Sequence, residues 1–297
     1  MSQRSSKVVV ITGASSGIGK AVALSLAKQK YSLVIASRNS EKLQSVAKEC
    51  QKAGAQILAI TTDVSGQEAV EHLLQASVRR FGKVDIWINN ASVIFYGRFL
   101  DIRPEEFRQV IETNLFGVVN GSRAALKHFK ETSEGTLINI SSGFGAVPAP
   151  FVSSYVTSKF AVRGLTASLM QELYVDGQKG IHVCSVLPAT IRTPVYEHSG
   201  NRMQQSARAV PPTYSAEFAA RKIIRLIDHP KSETVIGRPI RAMTIFYAMA
   251  PALALRLFAR YVRRFNYRRQ PNAPNTGNVF APTNDERTTA KSKVLHN

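Results

Sequence analysis

Cysteine is scarce in this sequence, and long apolar runs are missing from it. Two cysteines in 297 residues cannot form a disulfide framework or a multi-cysteine zinc site, so we expect a reducing, cytoplasmic environment. The first apolar run, residues 8–11, is too short for a signal peptide. No run reaches the roughly 18 apolar residues of a transmembrane helix. His182 and His198 lack metal-ligand spacing, so no metal site is expected.

Acidic residues are also few, at 20 Asp and Glu against 39 Lys and Arg, which gives a formal net charge of +19. Such an excess is typical of proteins that bind nucleic acid, an anionic membrane or an anionic ligand. It is densest in residues 240–270, which contain seven arginines and no acid. With 44% apolar and 20% charged residues, an ordered globular body is nevertheless expected.

Short β-rich runs alternate with helical patterns between residues 7 and 240. Most of the runs are continuously apolar, as in strands that are buried on both faces of a parallel sheet. The alternation predicts a single α/β domain with a doubly wound parallel sheet of about seven strands, which binds its ligand at the carboxyl ends of the strands. The predicted strands are residues 7–12, 32–36, 56–61, 84–88, 136–140, 182–186 and 234–236.

The pattern changes after the predicted domain, residues 1–240. Residues 241–269 form an apolar, arginine-rich extension that is predicted to be helical and to bend at Pro251. It fits an anionic membrane surface, or packing on the body or at a subunit interface with its arginines in solvent. Nucleic acid is a third and less favoured partner, since no recognised binding motif is present. Residues 270–297 are rich in Pro, Asn and Thr and are predicted to be disordered.

A glycine-rich loop, TGASSGIG at residues 12–19, follows the first predicted strand. Its glycines permit a tight turn and a close approach of the backbone to a pyrophosphate, and the next helix offers unpaired N–H groups to the anion. The loop therefore predicts a dinucleotide site in a Rossmann-like fold. The expected cofactor-binding residues of this loop are Gly13, Ser15, Ser16, Gly17, Ile18 and Gly19.

Two further positions indicate chemistry. Tyr155 and Lys159 lie four residues apart in a predicted helix and share one face. A neighbouring ammonium lowers the pKa of a tyrosine, which predicts that Tyr155 is a general acid/base. The second predicted strand ends at Ser37 and Arg38, where NAD-binding proteins usually have a carboxylate. Because a guanidinium pairs well with a 2′-phosphate, we predict NADP(H) rather than NAD(H); the alternative is that Arg38 is a solvated loop charge.

Together these motifs resemble those of the short-chain dehydrogenase/reductase family, over residues 7–240. Two positions depart from the family pattern: Ser92 and Ala189 stand where glycine is common, and both are small. The other matching residues, in the order of the family's motifs, are Asn90, Ala91, Asn114, Ser142, Pro188 and Thr193.

The resemblance implies an oxidoreductase that interconverts a carbonyl and an alcohol by hydride transfer. It implies that Ser142 and Tyr155 hydrogen-bond the substrate oxygen, and Ser142 matches the family's spacing better than Ser141 does. It further implies that Lys159 holds the nicotinamide ribose and that Asn114 holds a water of the proton relay. Relatives commonly form dimers or tetramers, so a homo-oligomer is expected.

The resemblance also implies further cofactor contacts. Asp63 and Val64 match the pair that contacts the adenine, although Asp63 or Ser65 could instead cap the following helix. Pro188 is among the residues that match the family's cofactor-binding motifs, and Thr193 would contact the carboxamide of the nicotinamide.

The positions expected to flank the substrate pocket are mostly apolar, which favours an apolar carbonyl or alcohol over a sugar, although several of them could be core. They are Val93, Ile94, Phe95, Phe144, Val147, Phe151, Val195 and Tyr196. Two other functions are compatible with the fold: a catalytically idle nucleotide-binding regulator and a membrane-tethered scaffold. The complete set of Asn114, Ser142, Tyr155 and Lys159 favours the enzyme.

Overall fold

The computed structural model describes residues 7–283, apart from the side chains of residues 268–271. Its strands are β1 (Val8–Thr12), β2 (Ser32–Ser37), β3 (Ile57–Thr61), β4 (Ile86–Asn89), β5 (Phe95–Tyr96), β6 (Gly135–Ile140), β7 (Ile181–Pro188), β8 (Gly200–Asn201), β9 (Gln205–Ala207), β10 (Glu233–Ile236) and β11 (Tyr267–Pro271). Its helices are α1 (Gly17–Lys28), α2 (Ser40–Lys52), α3 (Gln67–Phe81), α4 (Pro104–Ile111), α5 (Gly117–Thr132), α6 (Ser153–Val175), α7 (Val195–His198), α8 (Ala216–Asp228), α9 (Arg238–Met249) and α10 (Pro251–Phe265). Short 3-10 turns lie at Phe99–Asp101 and Gly143–Gly145, and a π-helical turn lies at Glu112–Phe116.

Seven parallel strands form the central sheet, in the order β10–β7–β6–β4–β1–β2–β3. The prediction of a doubly wound α/β domain is therefore confirmed, and each of the seven predicted strands is present with slightly shifted ends. Strand β1 pairs with β2 on one side and with β4 on the other, so the winding reverses next to it. Such a reversal opens a crevice at the carboxyl ends of the strands, where ligands bind.

The continuous apolar runs reflect burial on both faces of the sheet. In β1, Val9 and Ile11 pack in one core cluster with α1, α2 and α8, whereas Val8 and Val10 pack in a second cluster with α3 and α5. Helices cover both faces, so every residue of β1 is buried. This packing fixes the strand ends that carry the site.

The alternative role of Asp63 or Ser65, as the cap of α3, is not seen in the structure. The helix follows Gly66, and no side chain caps it. Asp63 instead holds the turn before the helix, because its Oδ1 accepts hydrogen bonds from the Ser65 N–H, at 3.0 Å, and from the Ser65 hydroxyl, at 2.7 Å. The turn keeps Asp63 at the carboxyl end of β3.

Helices α9 and α10 pack on the body by one face, and Pro251 separates them as predicted. Ile240, Ala254, Phe258 and Val262 are buried. The outer face is exposed; its large apolar residues are Ile245, Met249, Leu253, Leu255 and Leu257. None of the helices that the structure describes is long and apolar enough to span a membrane.

Residues 270–283 are ordered, whereas the composition predicted disorder from residue 270 onwards. Strand β11 pairs antiparallel with β9, and Val279 is fully buried against Val93, Phe95 and Val110. Contacts with distant parts of the chain thus supply the order that local composition could not predict. The remainder of the predicted tail, residues 284–297, lies outside the described residues.

Candidate active site

A cleft of about 470 Å³ lies at the carboxyl ends of the central strands and contains most of the predicted site residues. Its predicted cofactor residues are Gly13, Ser15, Ser16, Gly17, Ile18, Ser37, Arg38, Asp63, Val64, Asn90, Ala91, Tyr155, Lys159, Pro188 and Thr193. Ser142 also lines the cleft, so the topology brings together residues that are up to 180 positions apart in the sequence.

The glycine-rich loop is packed too tightly for side chains. Gly13 has φ +66°, and a Cβ at this position would lie 2.7 Å from Ala91 Cα. Gly19 does not line the cleft; a Cβ there would lie 2.4 Å from Gly13 O, so its role is to pack α1 against the loop. Asn90 holds the loop in place, since its Nδ2 donates to Thr12 O at 2.9 Å and to Gly13 O at 3.1 Å.

The N-terminus of α1 faces the cleft without a side-chain cap. Ser16 precedes the helix, and its hydroxyl makes no capping hydrogen bond with the described residues. Backbone N–H groups of a first helical turn have no acceptor within the helix. They can therefore bind an anion at the position that the sequence predicts for a pyrophosphate.

Tyr155, Ser142 and Lys159 meet beside the end of β6. Tyr155 lies in the first turn of α6, where its hydroxyl is placed to hydrogen-bond with the side chain of Ser142 and so to favour the phenolate. Lys159 lies one turn later; its Nζ donates to Ile140 O at 3.0 Å and lies 5.5 Å from the centre of the Tyr155 ring. The hydroxyl of Ser141, which also lines the cleft, is engaged by the backbone, because it donates to Lys159 O at 2.8 Å. The geometry therefore favours Ser142 over Ser141 as the substrate-facing serine.

The predicted fall in the Tyr155 pKa is wrong for this structure. Burial raises the pKa of Tyr155 to about 12, and the hydrogen bond with Ser142 offsets only part of the rise. Burial also lowers the pKa of Lys159 to about 7. Both shifts have the same cause, because removal from water disfavours the charged form of each group. At neutral pH, Tyr155 is a protonated phenol that can act as an acid.

Asn114 is a structural part of the site in the described chain. It lies in the π-helical turn and is fully buried. Its Nδ2 donates to Val93 O at 2.9 Å and to Ser158 Oγ at 3.1 Å, while its Oδ1 accepts from Val93 N at 2.8 Å and from Ser92 Oγ at 3.1 Å. All four hydrogen-bonding positions of the side chain are used. The carboxamide therefore fixes the segment after β4, and the water-binding role that the resemblance implies for Asn114 stays a prediction.

Arg38 lies at the end of β2, as predicted, but it is not a solvated loop charge. Its side chain is only 17% exposed, and its Nη1 lies 4.0 Å from Asp63 Oδ2. Burial lowers the pKa of Arg38, and the neighbouring Asp63 carboxylate opposes that shift. Lys42 lines the same corner of the cleft. Two cations beside one acid make this corner suited to an anionic group.

The substrate side of the cleft is apolar, although three of the predicted pocket residues lie elsewhere. Val93, Ile94, Phe144, Val195 and Tyr196 line it. Phe144 packs edge-on against Tyr155, with ring centres 6.4 Å apart. The residues outside the cleft are core or second-layer residues: Phe95 and Val147 are fully buried in apolar clusters, and Phe151 packs against Tyr267.

Sequence reasoning missed two groups of cleft residues that come from the C-terminal part of the chain. Helices α9 and α10 supply the first group, which is Ile240, Met243, Phe258 and Tyr261. The segment after β11 supplies the second, which is Asn278, Pro282 and Thr283. The apolar positions of the helices were visible in the sequence, but nothing local indicated which part of the body they would contact.

Comparisons with known proteins show the family to which the chain belongs. The model of the short chain dehydrogenase family matches residues 7–204, and the chain belongs to that family of oxidoreductases. It is 33% identical over 270 residues to the uncharacterized oxidoreductase YxnA of Bacillus subtilis, covering 90% of this chain and 76% of the relative.

Solved structures show the same relationship. A short-chain dehydrogenase/reductase from Burkholderia phymatum in complex with NAD superposes with a TM-score of 0.78 at 26% identity, covering 85% of this chain and 96% of that one. An alcohol dehydrogenase from the archaeon Thermococcus sibiricus, complexed with 5-hydroxy-NADP, gives a TM-score of 0.68 at 28% identity, with 77% and 95% covered. Structural relatives thus bind either form of the nicotinamide cofactor.

The burial of Lys159 predicts a pH-dependent effect on stability. Its pKa is about 7 in the folded chain against an ordinary value of 10.5, so between these values the unfolded chain holds more protons at this site. The free energy of unfolding therefore rises with pH through this window, by up to about 1.4 kcal/mol per pH unit. Lys159→Met removes this dependence. We expect the free energy of unfolding of Lys159→Met, taken relative to that of the wild type, to be higher at pH 6 than at pH 9, by about 2 to 3 kcal/mol.

Urea unfolding of both proteins at the two pH values measures this difference. Lys48→Met, on the exposed side of α2, is the control and should show no such change between the two pH values. A Lys159→Met effect that is the same at pH 6 and pH 9 would contradict the account of the buried ammonium.

Proposed function

We propose that this protein is an NADP(H)-dependent oxidoreductase that interconverts a carbonyl and an alcohol on an apolar small molecule, with Tyr155 as the general acid/base. The observation that carries the proposal is the meeting of Tyr155, Ser142 and Lys159 beside an apolar wall, in a cleft that also contains the glycine-rich loop. This arrangement argues for an active enzyme over a catalytically idle protein of the same fold.

The loop fits a dinucleotide. The close approach of Gly13 to Ala91 leaves no room for a side chain, and the uncapped first turn of α1 leaves its N–H groups available to a pyrophosphate. Thr193 packs against the same loop, since a Cβ on Gly17 would lie 3.2 Å from Thr193 Cγ2. When bound, the nicotinamide supplies or accepts the hydride.

Residues of the chain itself transfer the proton. In reduction, the Tyr155 hydroxyl donates its proton to the substrate oxygen, and the Ser142 hydroxyl hydrogen-bonds the same oxygen. The raised pKa of Tyr155 keeps that proton in place at neutral pH until the oxygen becomes basic. The Lys159 ammonium, held by Ile140 O at 3.0 Å, stabilises the phenolate that remains. Oxidation of an alcohol uses the same groups in reverse.

The preference for NADP(H) is supported by the charge at the end of β2. Arg38 and Lys42 line this corner, and Ser37 stands where a carboxylate would favour a free ribose. A guanidinium has five N–H donors in a planar fork that matches a phosphate. The nearby Asp63 reduces the net charge but does not cancel it.

The apolar character of the substrate is supported by the wall that faces Tyr155. Phe144 packs edge-on against Phe258, with ring centres 6.1 Å apart, and Met243 and Val195 lie in the same cluster. Few polar side chains are available there to bind the hydroxyl groups of a sugar. A hydrophobic ketone, aldehyde or alcohol therefore suits this part of the cleft.

The assignment of Tyr155 is tested by Tyr155→Phe, which removes the proton donor and keeps the ring. We expect turnover of NADPH with a panel of apolar ketones and aldehydes to fall by about 10² to 10⁴. Binding of NADPH, followed by its fluorescence, should stay within about twofold of the wild type. Tyr174→Phe, at an 87% exposed position of the same helix, is the matched control and should keep full activity. Unchanged turnover in Tyr155→Phe would remove Tyr155 from the mechanism.

The cofactor preference is tested by Arg38→Ala. A charge-assisted hydrogen bond contributes about 1.5 to 3 kcal/mol, so the ratio of kcat/KM for NADPH to that for NADH should fall by roughly 10- to 100-fold. The ratio cancels effects that the two cofactors share. Arg79→Ala, at an exposed position of α3, should leave the ratio unchanged. If Arg38→Ala also leaves it unchanged, Arg38 does not select the cofactor.

We also propose that the outer face of α9 and α10 binds the surface of an anionic membrane. In α10, Leu253, Leu257, Arg260 and Arg264 recur at intervals of four, three and four residues and are all exposed. This pattern is typical of a helix that lies in the membrane plane. The inner face of the same helices lines the cleft, so apolar substrates would enter beside the lipid.

Sedimentation with vesicles tests this second proposal. The full chain should bind vesicles that contain phosphatidylglycerol and release them as salt rises, since exposed charges are screened. Arg260→Glu with Arg264→Glu should abolish binding, whereas Leu100→Ser, at a 91% exposed position elsewhere, should not. Equal sedimentation of the charge-reversed variant and the wild type would exclude this surface.

A further inference from the structure

The segment of residues 272–283, which we call the C-terminal strap, crosses the outer edge of the cleft after β11. Asn275 and Asn201 exchange two backbone hydrogen bonds of 2.9 Å each, and Asn278 N donates to His198 O at 2.7 Å. Gly277 allows this close approach: it has φ +52°, and a Cβ there would lie 2.3 Å from His198 O. The strap is therefore fitted to the backbone beneath it.

One apolar side chain anchors the strap to the body. Val279 is fully buried in a cluster with Val93, Phe95, Ile102 and Val110. The residues on either side of Val279 lie outside this cluster: Phe280 is 44% exposed, and Asn278 lines the cleft. The anchor thus turns Asn278 towards the site.

Beyond the anchor, the strap binds the polar corner at the end of β2. Arg38 Nη1 donates to Val279 O at 3.1 Å, and Arg38 Nη2 donates to Asn278 O. Lys42 Nζ donates to Thr283 O at 3.3 Å. The two cations that we assign to the cofactor's ribose end are therefore also the cations that hold the strap.

These contacts leave Arg38 able to bind a second group. A guanidinium has five N–H donors, and the hydrogen bonds to the strap come only from its Nη1 and Nη2 groups. Its Nε–H has no acceptor among the residues that the structure describes. Arg38 can therefore contact the strap and an anion at the same time.

Asn278 carries an unused acceptor at this position. Its side-chain Oδ1 is buried, and no donor from the described residues reaches it. Buried polar atoms normally have a partner, so each exception needs an explanation. Asn278, Pro282 and Thr283 line the cleft together with Ser15, Ser16 and Asp63. A ligand in the dinucleotide cleft would therefore lie within reach of the strap.

We propose that the C-terminal strap is part of the cofactor site: it closes over the adenine–ribose end of the dinucleotide, Asn278 accepts a hydrogen bond from that end, and the strap must open before the cofactor leaves. The inference rests on the proposed dinucleotide site but not on the choice between NADPH and NADH, because both carry the adenine and its ribose and differ there only by the 2′-phosphate. It assigns a function to residues that lie beyond the catalytic core in the sequence.

The rate of NADPH release, followed by stopped-flow fluorescence with excess NADP⁺ as the chase, tests the proposal. Asn278→Ala removes the acceptor and leaves the backbone bonds of the strap. Gly277→Ala forces the strap away from His198. We expect each variant to release NADPH about tenfold faster or more, as loss of one or two hydrogen bonds implies. NADH should show the same acceleration.

Gly177→Ala is the matched control, because Gly177 also has a positive φ, +66°, but a Cβ there would meet nothing within 4 Å. It should release NADPH at the wild-type rate. Hydrogen exchange at the Asn278 and Asn275 amides reports the state of the strap; exchange should slow when NADPH binds and accelerate in Gly277→Ala.

If Asn278→Ala releases NADPH at the wild-type rate, the role of Asn278 is overturned. If the strap amides of Gly277→Ala exchange faster but the variant releases NADPH at the wild-type rate, the closing role of the strap is overturned. Either result, with turnover and its dependence on Tyr155 intact, would leave the proposed function standing. A wild-type chain that bound neither NADPH nor NADH would overturn the proposed function and the strap's role with it.

Discussion

The hydrogen bond between the Lys159 ammonium and Ile140 O is the interaction on which the arrangement of the site depends. It joins α6 to the end of β6, and so places Tyr155, one turn earlier in the helix, beside Ser142, two residues after the strand. Burial makes this position unfavourable for a charge and lowers the pKa of Lys159, while the same burial raises that of Tyr155. The chain thus gives up stability to hold a protonated phenol and a titratable amine side by side, as is common at active sites.

The rest of the cleft is assembled around this pair from parts that are far apart in the sequence. The reversal of strand order next to β1 opens the crevice, and the glycine-rich loop fills one side of it. The inner faces of α9 and α10 form an apolar wall on the substrate side, and the C-terminal strap reaches the other end through Arg38 and Lys42. The excess of basic residues therefore has more than one role, because Arg38 and Lys42 belong to the cleft whereas the arginines of α10 face outward.

Much of the body could be predicted because its signals are local. Apolar runs such as residues 8–11 are strands buried on both faces, and the four-residue spacing of Tyr155 and Lys159 places them on one side of a helix. Phe95, Val147 and Phe151 could not be assigned this way, since an apolar residue near a motif can equally be core. The order of residues 270–283 was missed because it depends on Val279, whose apolar partners belong to other parts of the chain. The prediction that the Tyr155 pKa falls was wrong, because the spacing of residues reveals a neighbouring charge but not the degree of burial.

The central claim is that this cleft transfers a hydride between the nicotinamide and the carbon that bears the oxygen next to Tyr155. The most direct measurement uses NADPH deuterated at the transferring position of C4, with a panel of apolar ketones and aldehydes, and analyses the alcohol products by mass spectrometry. The account predicts one deuterium bound to the carbinol carbon of each product and the loss of this label with unlabelled cofactor. Alcohol products that carry no deuterium from the cofactor would contradict it.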